Sequence, residues 1–191
     1  APIGNGFALD PARRRVVAIG GGVGIPPMAF VAERLHNDPR FAPLVLMGSE
    51  VPFPFELAGA SENDAWPDAT TASLALLDGW GVPSRLASNA SLAGTYAGYV
   101  PDLARQELAA LGASELAETQ IIACGPEPML EAAAKLARDF DLPCQIAVEE
   151  FMACGVGGCA GCTILIQGPD GPAMKRVCVD GPVFDARAVY A

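Results

Sequence analysis

The 191-residue sequence is 51% hydrophobic and carries a formal net charge of −10. That is enough apolar material for one full core with a small appended domain, and a diffuse negative field that argues against nucleic acid or an anionic membrane as partner. No signal peptide is visible and glycines or prolines interrupt every long apolar run, so the expected location is the cytoplasm and no membrane span is expected.

The first informative stretch is RRRVVAIGGGVGIPPMAFVAERL. Residues 16–19 read as a short buried strand, 20–24 as a tight turn, and Pro26 opens a helix with Met28, Val31 or Ala32, and Leu35 on one face. Pro26 and Pro27 suit a first helical turn, whose N–H groups have no partners to lose. Strand, glycine turn and helix N-terminus in succession can seat a pyrophosphate against free N–H groups at the positive end of the helix dipole, which makes Gly20, Gly21, Gly22 and Gly24 candidate contacts. The competing reading is a turn that only packs a helix on a sheet, because a proline stands where a full G-x-G-x-x-G would place its third glycine.

Strand and helix signals then alternate. Residues 44–47 form a second strand, 71–77 a short helix, 84–87 a third strand and 101–111 a helix with Ala104, Leu108 and Leu111 at helical spacing. A fourth strand at 120–124, a helix at 127–140 with Met129, Ala133, Leu136 and Phe140 inward, and a fifth strand at 145–148 complete the pattern. Such alternation predicts an α/β fold, a doubly wound parallel five-stranded sheet with its ligand site beyond the carboxyl ends of the strands. The glycine turn and the Cys124, Gly125, Pro126 turn both fall at that edge, so Gly125 and Pro126 join the candidate nucleotide contacts.

After Val148 the pattern changes. Cys154, Cys159 and Cys162 stand at C-x4-C-x2-C spacing and Cys178 follows after fifteen residues. This is the plant-type ferredoxin arrangement, in which four thiolates hold a 2Fe-2S cluster. Gly155, Gly157, Gly158 and Gly161 suit a loop that passes close to a cluster, adopts positive φ and points N–H groups at sulfur. Zinc is the alternative, although zinc ribbons carry two C-x2-C pairs and only Cys159 and Cys162 form one here. Short strands at 163–166 and 175–179, joined by a GPDG turn at 168–171, make this region a small antiparallel unit.

Other reactive side chains have plain readings. His36, the only histidine, falls near a helix end and is expected to meet solvent or the helix C-terminus. Cys144 reads as a buried core thiol, and Trp66 and Trp80 as residues packed under loops. Glu149 and Glu150 read as a solvated strand end, or, if close to the cluster, as charges that make it harder to reduce. Cys124 by itself reads as a small apolar residue ending a strand.

The segments IGNGF at 3–7, GGGVGIPP at 20–27, ACGPEPML at 123–130, VEEFMACGVGGCAGC at 148–162 and RVCVDGPVF at 176–184 cover nearly the whole chain in register. In these the sequence resembles the C-terminal two thirds of the electron-transfer subunit of dihydroorotate dehydrogenase B, within the ferredoxin-NADP reductase superfamily. The resemblance implies a linker from a flavin domain at 1–14, an NAD(P)-binding domain at 15–150 and a 2Fe-2S domain at 151–191. It implies NAD or NADP on the two glycine-containing turns, Cys124 beside the nicotinamide where hydride passes to FAD, and Cys154, Cys159, Cys162 and Cys178 as iron ligands. The FAD-binding barrel that the family places before the linker is not in this sequence. The loop ASNASLAGTYAGY at 87–99 also departs from the acidic, glycine-containing loop that the family shows there.

In such proteins electrons pass among NAD(H), FAD and the cluster to or from a catalytic dehydrogenase subunit that carries FMN, in a hetero-oligomer serving pyrimidine biosynthesis. The chain would then be an oxidoreductase component, active only with flavin and that partner. Similar modules serve sulfide dehydrogenases, hydrogenases and NADPH:ferredoxin oxidoreductases. A non-enzymatic iron-sulfur carrier with a vestigial nucleotide site, and a zinc-stabilised α/β domain, are the readings from other classes.

Overall fold

The computed structural model describes residues 3–59 and 70–191, so Trp66 lies outside the described residues. Strand β1 (Arg15–Gly21) is buried from its second residue onward. Its side chains alternate between two layers: Val16 and Ala18 face one core cluster, Val17 and Ile19 the other. A 3-10 turn (Gly22–Gly24) leads into α1 (Ile25–Leu35), which has Met28, Ala32 and Leu35 buried and Val31 half-buried. Burial of a side chain such as Met28 or Leu35 contributes about 1.5–3 kcal/mol, so Met28→Asp would detach this helix from the sheet.

After α1 come β2 (Ala42–Gly48), β3 (Leu57–Gly59), β4 (Ala72–Leu74), α2 (Ala75–Asp78), β5 (Ser84–Ser88) and β6 (Tyr96–Ala97). The expected helix at 71–77 is therefore a strand followed by a single helical turn. Ala72, Ser73 and Leu74 are all buried and pair antiparallel with β3, and the Leu74 amide donates to Ser84 Oγ at 3.0 Å. Periodicity over so short an apolar run does not separate the two states, and strand pairing decided it.

The second half contains α3 (Val100–Ala109), α4 (Ala113–Ala117), β7 (Thr119–Cys124), α5 (Glu127–Asp139), β8 (Cys144–Ala147), β9 (Thr163–Gly168), β10 (Gly171–Arg176), β11 (Val183–Asp185) and α6 (Ala186–Val189). Helix α5 has Glu127 in its first turn and Arg138 in its last, each matched to the dipole end it occupies.

The main sheet has the order β11-β8-β7-β1-β2-β5-β6. The five expected strands form its contiguous parallel centre, with α1 covering one face and α3 and α5 the other. The sheet is wider than the expected five strands. β6 extends one edge in parallel and β11 the other in antiparallel, and both are too short to show a periodic pattern. β9 and β10 form a separate antiparallel hairpin, whose second strand ends at Arg176, before the expected Val179.

Residues 5–13 are laced along the molecule. Ala8 exchanges two hydrogen bonds with the Gln145 side chain, at 2.8 and 2.7 Å, and Gln120 bonds Asp10 through both its amide atoms. Asn5 donates and accepts across Asp180 and Val183 and so meets the segment that follows Cys178. No helix among the described residues is long and apolar enough to cross a membrane.

Candidate functional site

The carboxyl ends of β1 and β7 lie side by side, with Gly20 in register with Cys124. The two turns that follow interlock. A Cβ on Gly21 would fall 2.5 Å from Met129 Sδ, and one on Gly125 would fall 2.8 Å from Gly21 O. The Gly125 contact is with backbone and only glycine allows it, whereas the Met129 side chain can yield at Gly21; Gly22 (φ +53°) and Gly125 (φ +157°) also use backbone angles that a Cβ disfavours.

A cavity of about 790 Å³ opens at this edge, within the usual size range of cofactor sites. Of the sequence candidates, Gly21, Gly22 and Pro126 line it. Gly20 and Gly24 do not: they are packing positions, one against Met28 and the other against the Cys124 carbonyl. The opposite wall consists of residues that sequence reasoning missed, among them Ser49, Glu50, Ser88, Asn89, Tyr99 and Asp102. The available signal was positional, because the first four follow or end β2 and β5 at the same sheet edge. Two carboxylates and no lysine or arginine stand among the described lining residues.

A second cavity, of about 520 Å³, lies between the Gly125–Pro126 turn and the cysteine module. Gly125, Pro126 and Leu130 form one side, Phe151 and Ile164 the other, with Glu149, Glu150 and Tyr190 around them. Cys124 is half-buried nearby, and burial, aided by the Glu149 carboxylate, holds its thiol above the ordinary range and protonated at neutral pH. Glu149 and Glu150 are exposed and belong to this cavity's rim.

The four cysteines beyond it meet in two pairs. The thiols of Cys154 and Cys159 face one another, as do those of Cys162 and Cys178, and Cys178 also feels the charge of Cys154. Backbone N–H groups aim at the sulfurs: Cys159 N lies 3.4 Å from Cys154 Sγ, Gly161 N 3.4 Å from Cys159 Sγ, and Cys178 N 3.4 Å from Cys162 Sγ. Amides from Val156 and Cys159 bring the Cys154 thiol down to about 6. Cys154 and Cys159 are exposed and Cys162 and Cys178 buried, so one pair faces solvent and the other the hydrophobic base formed with Val177.

Gly155 and Gly157 take the expected positive φ, but Gly158 and Gly161 do not, and the left-handed position between them is Ala160 (φ +55°). No three His, Cys, Asp or Glu side chains among the described residues converge on one ion-sized point. An all-sulfur donor set in two adjacent pairs suits a two-iron centre, with two thiolates for each metal, better than one tetrahedral ion.

Residues 149–190 match the family described as the iron-sulfur cluster binding domain of dihydroorotate dehydrogenase B. Curated relatives carry the name dihydroorotate dehydrogenase B (NAD(+)), electron transfer subunit. The one from Bacillus caldolyticus is 34% identical over 98% of this chain and 63% of its own length. That from Caldanaerobacter subterraneus subsp. tengcongensis is 30% identical over 98% of this chain and 64% of its own. Over nearly its whole length the chain is similar to these electron transfer subunits. It spans less than two thirds of their length. Among solved structures, one of an NADH-dependent reduced ferredoxin-NADP oxidoreductase covers 99% of this chain and 58% of its own, with a TM-score of 0.70 at 21% identity, which establishes the shared fold.

The remaining reactive residues are structural. His36 caps α1 through the Glu33 carbonyl and stacks on Trp80 at 5.4 Å. Cys144 is buried in the core, where loss of solvent pushes its thiol up to about 12.

Proposed function

We propose that the chain is an NAD(H)-linked electron-transfer component that relays electrons between a nicotinamide dinucleotide, a flavin held outside these residues, and a 2Fe-2S cluster bound by Cys154, Cys159, Cys162 and Cys178. The partner is a catalytic dehydrogenase subunit in a hetero-oligomer, with a dihydroorotate dehydrogenase as the reading the relatives' name favours; an FMN on that subunit and a place in pyrimidine biosynthesis are part of this proposal. The observation that carries the proposal is the cavity between the Gly125–Pro126 turn and Phe151, three residues before Cys154, which supports a path from a dinucleotide on that turn to a cluster on the cysteine loop.

The residues divide the work. Gly21, Gly22, Gly125 and Pro126 leave room for the dinucleotide, whose anionic pyrophosphate would meet the N-terminal end of α5. Glu50 and Asp102, with no basic residue among the described lining residues, favour a ribose diol over a 2′-phosphate and hence NAD(H). Cys124 keeps its proton and packs beside the nicotinamide path without adding charge to it. When bound, flavin converts the two electrons of a hydride into single electrons, which an iron-sulfur cluster carries. The amides directed at sulfur stabilise the reduced charge, and the exposed Cys154–Cys159 side gives a short path to a docked partner.

The visible spectrum of anaerobically purified protein, before and after NADH, tests this. Broad cluster bands bleached by dithionite, together with saturable NADH binding in the presence or absence of flavin, are expected. A colourless protein that contains zinc and no acid-labile sulfide would refute the cluster assignment.

A further inference from the structure

Arg176 is a side chain that the proposed relay does not use, and its contacts join both ends of the cysteine site. Its guanidinium Nη1 donates to the carbonyl of Gly157 at 3.0 Å, midway between Cys154 and Cys159. Its Nε and its backbone N–H both donate to Asp180 Oδ2, at 3.2 and 2.8 Å. Its own carbonyl accepts from Val179, Asp180 and Gly181 at 3.1, 2.7 and 3.3 Å, closing the turn that carries Cys178. Gly157 is seated by the same segment: a Cβ there would lie 2.6 Å from Val179 Cγ2.

We infer that Arg176 is a positioning residue for the cluster, a latch that fixes the loop bearing Cys154 and Cys159 against the turn bearing Cys178 and supplies a fixed cation against that loop. This rests on the four cysteines holding an iron-sulfur cluster. Asp180 occupies one side of the guanidinium, which aims its free edge at the loop rather than at solvent. Reduction adds one negative charge to an already anionic site, and a fixed cation stabilises that added charge more than the oxidised form. The side chain is 42% exposed, so screening keeps the electrostatic part modest.

The test compares anaerobically purified wild type with Arg176→Met, Arg176→Lys and Lys175→Met, the last being an exposed neighbouring cation. Three quantities are read: the cluster midpoint potential, its EPR g-values after dithionite, and amide exchange across residues 155–158. Arg176→Met is expected to shift the one-electron equilibrium about fivefold toward the oxidised form, ~40 mV more negative at ~59 mV per tenfold, with altered g-values and faster exchange in the loop. Arg176→Lys should recover most of the potential but not the slow exchange, since an ammonium does not reproduce the fork that spans Asp180 and Gly157. Lys175→Met should match wild type in all three.

Wild-type exchange and g-values in Arg176→Met, or equal shifts in Arg176→Met and Lys175→Met, would overturn the latch. If Arg176→Met retains no cluster, Arg176→Lys decides: wild-type exchange there overturns the latch, faster exchange supports it. A wild-type protein without a cluster EPR signal overturns the assignment of the cysteines, and this inference with it.

Discussion

A methyl group on Gly24 would lie 1.8 Å from the carbonyl oxygen of Cys124 and 2.7 Å from the amide nitrogen of Gly125. The turn after β1 therefore presses directly on the backbone that ends β7, and the two dinucleotide-facing turns act as one packed unit. Neither side has a flexible side chain that can yield.

Gly24→Ala should accordingly destabilise the fold by about 3 kcal/mol or more and weaken NADH binding by displacing the Gly125–Pro126 turn. Gly22→Ala meets no heavy atom closer than 3.8 Å and costs mainly its left-handed φ, about 1 kcal/mol. Urea denaturation of both variants checks the order; equal losses would show that the contact relaxes freely.

Replacing Cys154, Cys159, Cys162 or Cys178 by Ala should abolish the visible cluster spectrum, because each pair would lose one of its two thiolates. Cys124→Ala and Cys144→Ala should retain equal iron and acid-labile sulfide. Metal and sulfide assays on all six variants separate these groups, and retention of a full cluster in any of the first four would remove that residue from the ligand set.

Cys144 gives an alkaline signature. Its folded pKa is raised from 9.0 to about 12 by burial, so the unfolded chain releases this proton first as pH rises. The stabilisation is intact below pH 9 and is lost progressively between 9 and about 12, by up to ~4 kcal/mol for a shift of this size. Stability profiles of wild type and Cys144→Ala should therefore differ in slope over that window and run parallel below it. Parallel curves throughout would mean that the thiol ionises without leaving the core.

The acid-lined cavity predicts dinucleotide preference. NADH should bind at least roughly tenfold more tightly than NADPH, a ratio worth about 1.4 kcal/mol, and Glu50→Gln combined with Asp102→Asn should narrow it by relieving repulsion of the 2′-phosphate. Titration calorimetry with both nucleotides measures the ratio, and tighter NADPH binding by wild type would reverse the assignment.

The parallel centre of the sheet was legible because strands buried on both faces, such as VVAI at 16–19 and IIAC at 121–124, stand out as apolar runs. The cysteine positions were legible from spacing alone, and the placement of Gly21, Gly22 and Pro126 at a common edge from strand order. Glu50, Asn89 and Asp102 were not, because only the topology brings the ends of β2, β5 and the start of α3 together. Ala160 in a left-handed conformation defied the glycine rule, which predicts where such angles are cheap rather than where a loop needs them. The bond from Arg176 to the cysteine loop was silent in sequence, since Gly157 lies nineteen positions away.

The strand that follows Cys178 returns to the main sheet: Val183 pairs with Ala147, and α6 packs behind it against α5 and β8. The cysteine module is thus an excursion between two neighbouring strands, entered from one and left by the other, rather than a tail hung on a finished domain. Its two ends are held at the spacing of adjacent strands whatever happens inside. Loss of metal would then loosen the excursion while leaving its doorway shut, and a transplant of this module into another protein would need two adjacent strand ends to receive it.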